Sequence, residues 1–106
     1  MIRLEFKGSL MNVNRNGSHD VTARSYMYLN PDQVDYICIH SFWQDKVEKQ
    51  RLEIYLTSRC VIIESKAWNE EMLQEIEKSL IKAIRLKFNF FEVDRDNKIT
   101  YGNYDA

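Results

Sequence analysis

From Trp68 to about Leu86 the apolar residues return every three or four positions, the period of an amphipathic helix, and the chain before them reads as a series of short strands. That order constrains the fold: a sheet is built first, and one helix then closes it. At about 100° per residue, Trp68, Met72, Leu73, Ile76, Leu80, Ala83, Ile84 and Leu86 share one helix face. Glu70, Glu71, Gln74, Glu75, Lys78, Lys82 and Arg85 take the other. Acids crowd the first half and bases the second, which complements the helix dipole. Ser65 is the expected cap, and the helix is expected to end near Leu86, because Lys87 would fall on the apolar face.

Period-two alternation marks the strands. Ile2, Leu4 and Phe6 alternate with Arg3, Glu5 and Lys7; Gly8-Ser9 interrupts the pattern, and Leu10 to Val13 resumes it. Asn14 to Asp20 is polar, and its Asn16-Gly17 pair signals a hairpin turn. Val21 to Leu29 reads as one strand. Asn30-Pro31-Asp32 is a turn. Val34 to Trp43 is strand-like and rich in aromatic and β-branched residues. Gln44 to Gln50 reads as a charged loop, Leu52, Ile54 and Leu56 as a strand, Ser58-Arg59 as a tight turn, and Cys60 to Ser65 as a further strand. After Phe88 the chain has no clear period, and residues 88–106 form a terminal hairpin or a frayed tail.

The expected fold is a single α+β domain of 106 residues: an antiparallel sheet of five or six strands, with one long C-terminal helix packed on one face. The helix would cover the aliphatic face, which carries Ile2, Leu4, Phe6, Met27, Leu29, Ile37, Ile39, Leu52, Ile54, Leu56, Val61 and Ile63. Alternation then places Arg24, Tyr26, Tyr28, Tyr36, His40, Phe42 and Tyr55 on the open face, with Arg3, Glu5, Arg51 and Glu53 among them. Tyrosine and arginine are over-represented at interface hot spots, so these seven residues are the candidate partner-binding set. Cross-strand packing on a solvated sheet explains the same residue types without any partner.

A second candidate surface lies on the helix. Ile81 and Phe88, seven residues apart, fall on the face expected to be wet, flanked by Lys78, Lys82 and Arg85. As a unit they suggest self-association into a homodimer; alternatively, the aromatic tail folds back over Ile81.

The net charge of −1 predicts neither nucleic acid nor an anionic membrane as partner. No apolar run approaches the roughly 18 residues that span a bilayer. The alternating N-terminus lacks the core of a signal peptide. With two cysteines, Cys38 and Cys60, and no disulfide framework, the expectation is a cytoplasmic protein with reduced thiols.

Catalytic patterns are weak. Cys38 and His40 point to one side of a strand, and with Cys60 and His19 they supply the ligand types of a zinc site. Their spacing matches no zinc module, so no metal or cofactor is expected. The same Cys-His pair lacks the third group and the pocket that nucleophilic catalysis needs. Asp94-x-Asp96-x-Lys98 opens like a calcium loop but places Lys98 where an oxygen ligand belongs. The glycines stand apart at Gly8, Gly17 and Gly102, so no loop cradles a phosphate.

Between about Met27 and Ile84 the chain is similar to small flagellar-operon proteins of the FlbD type. The resemblance rests on Leu29-Asn30-Pro31-Asp32-Gln33-Val34, on Ile54-Tyr55-Leu56, and on Val61-Ile62-Ile63-Glu64-Ser65 running into the helix. It implies a small noncatalytic accessory protein acting through a partner. The chain departs from the family at Ser58-Arg59, where a Gly is usual, in its longer stretch from Gln44 to Gln50, and at both extended ends. The strand series closed by a Trp-bearing helix also resembles pleckstrin-homology-like domains at the level of fold. The phosphoinositide-binding version would need a basic cluster in an early hairpin, where Asn14 to His19 has only Arg15 and a histidine. The functional expectation is a small intracellular protein-protein interaction module, of an accessory or inhibitory kind. The alternative is a ligand- or nucleic-acid-binding domain using the open aromatic face.

Overall fold

A computed structural model describes residues 1–15, 21–66 and 68–104. The alternation at the N-terminus becomes β1 (Ile2–Phe6), with Ile2, Leu4 and Phe6 fully buried. β2 (Leu10–Arg15), β3 (Val21–Arg24) and β4 (Tyr26–Leu29) follow. β1 pairs antiparallel with β4 and β2 with β3, so these four strands form one long two-stranded ribbon. The ribbon bends at Gly8-Ser9 on one strand and at Ser25 on the other. Gly8 has φ +82, a conformation that is unstrained only without a Cβ. Opposite it, the Ser25 carbonyl accepts from the Phe6 N–H at 3.1 Å. The expected Asn16-Gly17 turn lies outside the described residues.

That bend decides the architecture, because its two halves enter different sheets. The remaining strands are β5 (Val34–Gln44), β6 (Val47–Leu56), β7 (Arg59–Glu64), β8 (Phe90–Val93) and β9 (Ile99–Gly102). Among the described residues, the nine strands form a four-stranded sheet in the order β4-β1-β8-β9 and a five-stranded sheet in the order β3-β2-β7-β6-β5. The expected single antiparallel sheet is therefore corrected. Alternation reports which side of its own strand a residue takes; it carries no information on which sheet the strand joins.

The helix α1 (Glu70–Arg85) has 16 residues and is followed by two strands, so the expected long C-terminal helix is corrected as well. Its cap is Asn69 rather than Ser65: the Asn69 side chain accepts from the Met72 N–H at 2.8 Å. Trp68 precedes the helix and packs on Phe6, ring centroids 5.7 Å apart. The end is a Schellman motif, with Phe88 N–H bonded to the Ala83 carbonyl and Lys87 N–H to that of Ile84. Lys87 takes the left-handed position at φ 56, where glycine is usual. Asn69→Ala is expected to lower stability by about 1 kcal/mol, read as a lower midpoint in urea at unchanged slope; an unchanged midpoint would show that the cap contributes nothing.

Leu73, Ile76, Leu80 and Ala83 of α1 join the interior residues of both sheets in one core. The helix contacts β5 and β6 of the five-stranded sheet and β8 and β9 of the four-stranded one, so it packs against both. The tail is part of that core. β8 inserts parallel to β1, with Phe91 opposite Leu4, and both Phe91 and Val93 are buried. Asp94 organises the β8–β9 turn by accepting from the Asp96 and Lys98 N–H groups at 2.9 and 2.8 Å.

Two local expectations shift. The stretch Gln44 to Gln50 is a hairpin, not a loop: Asp45 and Lys46 turn the chain with φ 52 and 65, positive at both central positions as a type I′ turn requires. The β6–β7 turn falls at Thr57-Ser58, one residue before the expected Ser58-Arg59.

Candidate functional site

The site is built on the outer face of the five-stranded sheet, opposite the helix. Leu52, Ile54 and Leu56 of β6 point into the core, so Arg51, Glu53 and Tyr55 point away from it. In register on β5 stand His40, Cys38 and Tyr36. The Tyr36 and Tyr55 rings stack at 4.4 Å between centroids. The Tyr55 hydroxyl donates to Glu53 Oε1 at 2.6 Å, and Arg51 Nε donates to Glu53 Oε2 at 2.9 Å. The Arg51 guanidinium lies over the Phe42 ring, 4.9 Å from its centroid.

Glu53 is only 3% exposed although it faces outward. Cys38 and Ile62 stand opposite it on the flanking strands, and Arg51 and Tyr55 close it in along its own strand. A buried carboxylate requires hydrogen bonds and a counter-charge, and Glu53 has both. Each of its two partners is in turn set against an aromatic ring: Tyr55 on Tyr36, and Arg51 over Phe42.

This environment shifts neighbouring groups. The hydrogen bond to Glu53, aided by burial and by its charge, raises the Tyr55 hydroxyl well above the usual tyrosine range. Burial first, and Glu53 second, pushes up both the Cys38 and the Cys60 thiols. Both are then protonated at neutral pH and poor nucleophiles. They stand opposite Glu53 and Tyr55 on the two flanking strands, roughly 10 Å apart across β6, beyond disulfide reach; both are free. Among the described residues no group of three His, Cys, Asp or Glu side chains is placed to hold a metal ion. His19 lies outside those residues.

The Tyr55 shift has a readable consequence. A raised folded-state value means that folding holds the Tyr55 proton. The associated stability is fully present below the unfolded tyrosine value of about 10 and is lost as pH rises above it. Tyr55→Phe should remove from the spectrophotometric titration a tyrosine step that lies above the usual tyrosine range. Loss of a step within the usual range would contradict the Tyr55–Glu53 bond.

The open face expected from the sequence divides between the two sheets. Tyr36, His40, Phe42 and Tyr55 share the outer face just described. Tyr26 and Tyr28 lie on the outer face of the four-stranded sheet, in register with Glu5 and Arg3. There Arg3 repeats the arrangement on a smaller scale, 3.1 Å from Glu5 and 4.7 Å from the centroid of Tyr26. Arg24 joins neither group. It is in register with Met11 at the free edge of β3, which places it on the inner side of its sheet.

Beyond Leu52, β6 loses β7 and pairs with β5 alone, so the hairpin continues as a two-stranded arm. Trp43 and Val47 near its tip are 73% and 55% exposed. Sequence reading missed the arm, because Glu48 to Arg51 carry no apolar alternation: neither side of the arm is buried. Trp43 was the available signal, a large aromatic in opposite phase to Phe42.

On the helix, Lys78, Lys82 and Arg85 are exposed and Ile81 is half-buried. Phe88 is carried inward by the Schellman motif and packs near Tyr101, 5.8 Å between centroids. The remaining stripe is almost wholly charged. Exposed ion pairs contribute about 0–1 kcal/mol each, against an association cost of roughly 4–15 kcal/mol. Among the described residues no helix is long and apolar enough to cross a membrane. No protein-family model matches the chain, and no curated protein or solved structure is found similar to it.

Proposed function

We propose that this chain is a noncatalytic protein-binding module whose contact surface is the outer face of the five-stranded sheet, continued onto the β5–β6 arm. The observation that carries the reading is the Tyr36–Tyr55 stack, held on an open face by a carboxylate that is itself almost inaccessible. Rigid, half-exposed aromatics lose little conformational freedom on binding, which is what an interface anchor requires. Tyr36 and Phe42 give such anchors along the outer side of β5, the first stacked on Tyr55 and the second under Arg51. The Arg51 charge is already paired with Glu53, so this face has little to offer a phosphate backbone, which favours a protein over a nucleic acid.

The test is nuclease-treated capture from the source cells with the tagged wild type and with Tyr36→Ala combined with Phe42→Ala. The wild type should retain a stoichiometric protein. The double variant should bind it at least about tenfold more weakly, with a melting temperature within a few degrees. Undiminished capture by the folded double variant would remove this face from the role, and material released by nuclease would replace the protein partner with a nucleic acid.

A further inference from the structure

We draw no further inference here: the strongest candidate, the outer edge of β5 where it runs into the projecting arm, carries nothing beyond the surface already proposed, because nothing in the structure shows what covers it.

Discussion

Arg51→Met should cost about 3 kcal/mol, the largest loss from any single change on the outer face of the five-stranded sheet. The reason is the asymmetry of the pair. The Glu53 side chain is 4% exposed and that of Arg51 27%. Removing the arginine strands a carboxylate that water reaches poorly, with Tyr55 as its remaining partner among the bonds described. Removing the carboxylate's charge instead, by Glu53→Gln, leaves a guanidinium that can turn to solvent and an amide oxygen that can still accept from Tyr55. That change should cost about 1 kcal/mol. A buried pair replaced as a unit is far less damaging than a broken one. Arg51→Met with Glu53→Leu should therefore be more stable than Arg51→Met alone. Urea unfolding of the four proteins checks this. Equal losses for the two single changes, or a double variant weaker than Arg51→Met, would show that Glu53 is not the buried centre of the face.

Phe91→Ala should cost about 3–5 kcal/mol, enough at about 4–8 °C per kcal/mol to lower the melting temperature by more than 12 °C. Phe91 is fully buried, lies opposite Leu4 in the parallel β1–β8 pair, and sits between the rings of Phe6 and Tyr101, with centroids 6.1 Å from each. Its neighbour Phe90 faces outward and stacks on Tyr104 at 4.4 Å, so Phe90→Ala should cost about 1 kcal/mol. Two adjacent residues of one type thus separate a tail that belongs to the core from one that only lies against it. Equal, small losses at both positions would mean that β8 is not a central strand.

Within an unbroken strand or helix, the amino-acid order alone reveals which side a residue takes; across the Ser25 bend it does not, and Arg24, expected on the open face, lies on the inner side of its sheet. Ile2, Leu4 and Phe6, Leu52, Ile54 and Leu56, and Val61 and Ile63 were legible as interior positions from alternation. The helical period likewise marked Leu73, Ile76, Leu80 and Ala83. These assignments depend on residues two to four positions apart, and burial of one face writes them directly into composition. The aromatic and arginine residues of the candidate site were legible for the same reason, as the complement of the core.

Which strands are neighbours is settled by long-range pairing. Whether β3 and β4 continue one strand or divide between two sheets depends on a bend at Gly8-Ser9 and Ser25. That bend is favourable only because both halves then find partners, β8 beside β1 and β7 beside β2. The place of β8 in the four-stranded sheet joins residues nearly ninety positions apart in the chain, a pairing with no local signature. The same holds for the Arg51–Glu53–Tyr55 cluster. Its members were each assigned to an outward face, but the burial of Glu53 comes from Cys38 and Ile62 on flanking strands. Periodicity is written in near neighbours along the chain, whereas pairing and the environment of an ionised group are set by distant ones.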